Sequence, residues 1–298
     1  MYYERLLAYI TGAFVALCLG LGLTMMAMGP GQKAPAVRPA DRPASETPAA
    51  TPAPAPAETA PAPQAAVTPE PAPPPVVETP PRQRVEAAIG AVPEYKTFFA
   101  RLRDAYPAEY NGALDDFSSN VASGQEPSAD VYLSESVRRL RQARGTAAGK
   151  AESKPLARVF EMQLEVLKAL SGVDKKMCVA FLYGASSLDF QRFAAGRRKL
   201  LADMALAGLE AIASGEAKKV ARAAPTEADF SALETALAAK GLGKREIDAL
   251  LDGKTPEPPI DDKIMCAAGQ TYFEALRAMP EATRSRIYGL AVELMAKS

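Results

Sequence analysis

Proline placement divides this chain before any other feature is weighed. Seventeen of its 26 prolines fall in the 53 residues from Pro30 to Arg82, in runs such as PAPAPAETAPAPQ. Proline fixes φ and lacks a backbone N–H, so this stretch can neither continue a helix nor sit inside a sheet. It also lacks the apolar content to pack. The composition therefore predicts a disordered Pro/Ala-rich linker over residues 29–83, biased toward polyproline II. Fully extended it would reach about 160 Å, and as a flexible coil about 40 Å. Folded structure is confined to what lies on either side.

On the N-terminal side, after a short tail (residues 1–5), LLAYITGAFVALCLGLGLTMMAM runs from Leu6 to Met28 without a charged side chain. As a helix it would be about 34 Å long, enough to cross a hydrocarbon core of about 30 Å. The expectation is a transmembrane signal-anchor. A cleaved signal peptide is the alternative, but its apolar core is usually shorter, and no small-x-small site adjoins this one. Lipidation of Cys18 would need a small residue where Leu17 stands. Gly12, Ala16, Gly20 and Thr24 recur every fourth residue. This is a candidate helix-packing face for a homodimer in the membrane, although small residues are common in such helices in any case.

An apolar anchor followed by a proline-rich spacer resembles the layout of TonB-type energy transducers. The resemblance ends at the spacer, since nothing after residue 83 is similar to their small α+β terminal domain. Orientation is weakly encoded. Arg5 alone precedes the span and Lys33, Arg38 and Arg42 follow it, which favours a cytoplasmic C-terminus by the positive-inside rule. The spacer composition and the cysteines favour the opposite, a periplasmic domain on a single-pass, bacterial-type inner-membrane protein.

From residue 84 to 298 the apolar residues take a helical period, and no alternating run of β-branched residues appears. The expected fold class is all-α, a multi-helix domain with residues 84–145 as a candidate subdomain. Tyr95, Phe98, Phe99 and Leu102 mark one helix, ended by Pro107. Tyr110, Leu114, Phe117 and Val121 mark the next, with Gly124 as its cap. Ser128 opens a third that ends at Gly145, and Pro155 sits in the first turn of a helix carrying Phe160, Leu164 and Leu167. Ser186 with Asp189 reads as a capping box for a long helix over Leu188–Ser214, on whose stripe Gly208 either weakens packing or admits a close neighbour. Thr226 with Asp229 repeats the capping pattern. The last two helices are placed at Asp261–Ala278 and Glu281–Ala296.

Two segments share a motif. Asp174-Lys175-Lys176-Met177-Cys178-Val179-Ala180 matches Asp262-Lys263-Ile264-Met265-Cys266-Ala267-Ala268 at five of seven positions. The match suggests a weak repeat over 156–214 and 244–298, or chance in an Ala-rich helical chain. A pseudo-twofold would bring Cys178 and Cys266 together as a disulfide in an oxidising compartment. Two separately buried thiols are the alternative.

Composition removes most catalytic classes. There is no histidine and no tryptophan. His-based triads, His-ligated zinc and His-ligated haem are thereby absent. No cofactor, metal or catalytic residue is expected, and the equal counts of 35 basic and 35 acidic side chains give no pull toward nucleic acid. Glu161 with Glu165, Asp115 with Asp116 and Asp261 with Asp262 are the acidic pairs that acid–base work would draw on. Solvated faces and helix N-terminal charges explain them equally. Arg138, Arg139, Arg141 and Arg144 form a candidate anionic-partner patch, though cations are favoured at any helix C-terminus. Lys218, Lys219 and Arg222 crowd a second helix end.

The functional expectation is a membrane-anchored envelope protein whose helical domain is a non-catalytic binding or scaffolding module for a protein partner. The alternative is an envelope hydrolase using a Glu or Asp acid, for example on cell-wall glycan. A desolvated carboxylate with a raised pKa would favour the enzyme, and an apolar groove or patch the binder.

Overall fold

The computed structural model describes residues 79–184, 187–252 and 256–297. The apolar stretch Leu6–Met28, its face Gly12, Ala16, Gly20 and Thr24, and the linker as far as residue 78 lie outside these. Among the described residues no helix is long and apolar enough to cross a membrane.

Those residues form an all-α fold whose ends are set by the chemistry of caps. Pro81 opens α1 (Pro81–Gly90), so the first helix begins inside the stretch read as linker. Arg82 fastens it to the third helix through Asp115 at 2.8 Å and Asn111 at 2.7 Å. A 3-10 turn (Pro93–Tyr95) leads into α2 (Lys96–Ala105), and Pro107 at a first-turn position starts α3 (Pro107–Ala122). Gly124, at φ +86°, turns the chain toward α4 (Ala129–Arg144). A second 3-10 segment (Gly145–Lys150) follows, then α5 (Ser153–Ser171). Asp174 caps α6 (Lys175–Leu182) by accepting from Met177 N.

The long helix expected over Leu188–Ser214 is two helices, α7 (Leu188–Ala195) and α8 (Arg198–Lys218). Gly196 and Arg197 interrupt it. Glycine is the weakest helix former after proline, and the break lets Phe190 pack on Phe181 at 5.6 Å between ring centroids. Arg197 lays its guanidinium 4.6 Å from the Phe193 ring centre. Ser187, not Ser186, caps α7, accepting from Phe190 N at 3.1 Å. Asp189 makes no capping box there and pairs with Arg192.

The remaining helices are α9 (Glu227–Ala239), α10 (Lys244–Asp252), α11 (Asp262–Ala278) and α12 (Glu281–Lys297). The Thr226–Asp229 capping box is present. Asp229 also accepts from Arg286 and from Thr283 Oγ1 at 2.7 Å, which locks the start of α9 to α12. These bonds, Arg286 first, hold its carboxyl below the usual carboxylate range.

Helices α5 and α8 pack together at the centre. Leu156, Phe160 and Leu167 of α5 are buried with Leu201, Leu209 and Ile212 of α8. The Phe160 ring stacks on Tyr288 of α12 at 3.7 Å. The segment before Gly145 is not a separate subdomain, because α2 and α4 pack on α8. Arg101 forks onto Glu210 at 2.7 and 3.3 Å, and Tyr106 donates to Glu216 at 3.1 Å.

The tightest seam is the 3-10 segment Gly145–Lys150, wedged between α8 and α12. A Cβ on Gly215 of α8 would stand 1.8 Å from the Ala147 carbonyl oxygen. Arg222 closes the seam. It donates to Gly149 O at 2.8 Å, to Ser285 Oγ at 2.7 Å and to Ala151 O. Burial lowers its pKa. One of the three cations read as a basic helix end is therefore an internal clamp.

Cys178 of α6 and Cys266 of α11 form a disulfide, with Cα atoms 5.7 Å apart and both residues fully buried. The repeat that suggested the pairing is imperfect. Asp174 is the cap of α6, whereas α11 is capped by Asp261 rather than by its aligned neighbour Asp262.

Candidate functional site

A row of residues on α8 faces a space that no side chain fills. Leu201, Met204, Ala205, Gly208, Leu209 and Ile212 follow helical spacing over three turns, about 16 Å of axis. Across from them stand Leu133, Val137 and Leu140 of α4, Val159 and Gln163 of α5, Phe181 and Phe190, and Val292 and Met295 of α12. The partly open cavity between them has a volume of about 180 Å³. An apolar cavity of about 150 Å³ stays dry and admits benzene-sized ligands, so this one is large enough to hold a small apolar molecule.

Gly208 borders the open part of this space. A Cβ there would meet nothing within 4 Å. Of the two roles the sequence allowed for this glycine, close approach of a neighbouring helix does not apply.

The lining also includes Tyr95 and Asp130, which belong to a charged cluster that is satisfied within the protein. Arg198 forks onto Asp130, Nε to Oδ1 at 2.9 Å and Nη2 to Oδ2 at 3.0 Å, and Tyr95 donates its hydroxyl to the same carboxylate. The Arg198 bond, with help from Tyr95, holds Asp130 below the carboxylate range, and burial followed by Asp130 pushes the Tyr95 phenol well up. Asp130 is thus an anion with both oxygens engaged, and Tyr95 a neutral phenol. Neither is poised to take or give a proton near neutrality.

Among the polar residues of the lining, Gln163 stands out. It is 5% exposed, and its Oε1 has no hydrogen-bond partner. A buried acceptor left unpaired costs about 1–3 kcal/mol, so its persistence needs a reason. Leu156, Phe160, Gln163, Leu167 and Leu170 follow the four-three spacing of a core stripe. A glutamine on that stripe was legible in the sequence, and it is the signal that an inventory of charged residues passes over.

The residues singled out in the sequence do not assemble into one site. Arg138 pairs with Glu135, Arg139 with Asp116, and Arg144 with Glu109 at 2.7 Å and Glu216 at 3.5 Å. Arg141 lines the cavity. Glu161 and Glu165 share Arg158 at 3.3 and 3.4 Å, Asp115 binds Arg82, and Asp261 caps α11. Among the described residues no three side chains are grouped as metal ligands. The disulfide lies outside the cavity lining, but α6, which it staples to α11, contributes Phe181 to the wall.

No protein-family model, curated protein or solved structure matches this chain. Function must therefore be argued from the cavity itself.

Proposed function

We propose that this chain is a membrane-tethered binding protein whose helical domain holds a small apolar ligand and carries out no chemistry on it. The observation that carries the reading is the apolar cavity along α8, with Gly208 in its wall. Ligand sites are characteristically concave and apolar with few polar groups, and this one fits that description. The carboxylates whose pKa values are displaced, Asp130, Asp229 and Glu274, all lie below their ordinary range, opposite to the need of a general acid. That weighs against the envelope hydrolase.

Placement follows from the flanking sequence. Leu6–Met28 is the anchor of a bacterial-type inner-membrane protein and the stretch from residue 29 to the start of α1 at Pro81 is the spacer, so the domain samples the space near a lipid surface, a source of apolar molecules. The Cys178–Cys266 bond suits a periplasmic domain, since such bonds persist in oxidising compartments. A homodimer through Gly12, Ala16, Gly20 and Thr24, and a protein partner in the envelope to receive the ligand, belong to the same reading.

The test uses the full chain in lipid nanodiscs, titrated with the neutral fluorophore 1-aminoanthracene. Wild type is expected to show a saturable, blue-shifted emission above the lipid background. Gly208→Leu, which fills the cavity from within, should remove it while the protein stays folded by circular dichroism. Identical titrations of the two proteins would sink the binding reading. Topology reporters fused after residue 298 check the placement separately.

A further inference from the structure

We infer that the occupant of the cavity is a single unbranched aliphatic chain bearing a neutral hydrogen-bond donor, a hydroxyl or an amide N–H, and that Gln163 Oε1 accepts from that donor. The inference rests on the binding reading above and adds the ligand's shape and its one polar contact.

Shape comes from α8. The lining positions Leu201 to Ile212 run for about 16 Å along one helix face, while the volume of the space is only about 180 Å³. A compact ring system of that volume would touch one or two turns of a helix and leave the third bare. A flexible chain laid parallel to α8 touches all three. Gly208 sits in the middle of the row, where a bulky side chain would project into the space such a chain occupies.

Polarity comes from what the polar groups in the lining have left to offer; Arg141, which also lines the space, is engaged within the protein. Both oxygens of Asp130 are taken up by Arg198 and Tyr95. Ser134 donates its hydroxyl to Val131 O at 3.0 Å. Gln163 Oε1 is buried on α5 beside Val159 and has no partner within the protein. An acceptor in an apolar wall discriminates by what it leaves unpaired. A ligand with a donor satisfies it, an alkane leaves it stranded, and a carboxylate has to give up the hydration of its charge in a mostly apolar wall. A hydrogen bond contributing about 1–1.5 kcal/mol corresponds to roughly a tenfold preference.

Displacement of 1-aminoanthracene from the full chain in nanodiscs tests this, with decan-1-ol, decane and decanoate compared at equal mole fraction in the bilayer. Only signal absent from Gly208→Leu is counted. Wild type should release the dye to decan-1-ol at about one-tenth the mole fraction needed for decane or decanoate. Gln163→Met keeps the length of the side chain and removes the acceptor, so it should bring alcohol and alkane to within about twofold. 1-Adamantanol, a compact alcohol of the same carbon number, should displace poorly from both proteins. Equal displacement by decane, stronger displacement by decanoate, or displacement by 1-adamantanol as effective as by decan-1-ol overturns the inference while the binding reading stands. Absence of any Gly208-sensitive signal overturns both. Unchanged selectivity in Gln163→Met overturns the role of Gln163.

Discussion

Gly208 and Gly215 lie on the same helix two turns apart, and they are glycine for opposite reasons. At Gly215 the 3-10 segment Gly145–Lys150 presses so close that a Cβ would stand 1.8 Å from the Ala147 carbonyl oxygen. At Gly208 a Cβ would meet nothing within 4 Å. The C-terminal part of α8 is thus a seam where backbone meets backbone, fastened by Arg222 across to Ser285 of α12. The part before it borders a space. The same helix is thus packed backbone to backbone at one point and borders open space two turns earlier.

The comparison can be broken at several points. The largest effect is expected at the staple on the open side. Replacing Cys178 and Cys266 together by alanine frees a loop with a sequence separation of 88 residues, and the chain-entropy model puts the loss at about 4–5 kcal/mol. Urea unfolding of the two proteins measures it. A loss below about 1 kcal/mol would mean that the wall contributed by α6 needs no staple.

Next in size is Gly215→Ala, with an expected loss of about 3 kcal/mol or more, because the obstructing atom is backbone and cannot rotate away. If thermal unfolding showed Gly215→Ala as stable as wild type, the seam would be looser than drawn and the contrast with Gly208 would vanish.

A smaller effect tests the joint that holds α12 against the seam. Asp229 is 4% exposed and its pKa is depressed in the folded state by Arg286 and the threonine hydroxyls. A depressed carboxyl contributes stability above its unfolded value near 3.9, and this is lost as pH falls through the lower folded value. Asp229→Asn should cost about 2 kcal/mol at pH 7, and the gap to wild type should close progressively below about pH 4. A gap unchanged at pH 3 would show that the carboxylate charge contributes nothing there.

The smallest effect has the opposite sign. Gly208→Ala should raise stability by about 0.5–1 kcal/mol, from helix propensity alone, since the added methyl enters empty space. Calorimetry of the two proteins would detect it, and a loss instead of a gain would place an atom where the cavity is drawn.

Much of the fold could be read from local chemistry. The α11 and α12 boundaries, the Thr226–Asp229 box, the turn at Gly124 and the pairing of Cys178 with Cys266 are all legible in the sequence. Each depends on residues near one another in the chain or on a repeated motif. The division of Leu188–Ser214 at Gly196 was not legible, because the apolar spacing continues across the break. What decides it is the packing of Phe190 on Phe181. The arginines of α4 read as a surface patch because their partners Asp116, Glu109 and Glu216 belong to other helices.

By itself the sequence determined the helical class, the Thr226–Asp229 capping box and the absence of histidine chemistry, since these depend on backbone preference and composition. It also carried Gln163 on an apolar stripe of α5, without saying what that position faces. Tertiary structure alone decided that Gly215 is a contact and Gly208 an opening. Both are one residue type on one helix face pattern, and only the distance to the next element, set by how α4, α5, α8 and α12 come together, separates a seam from a cavity.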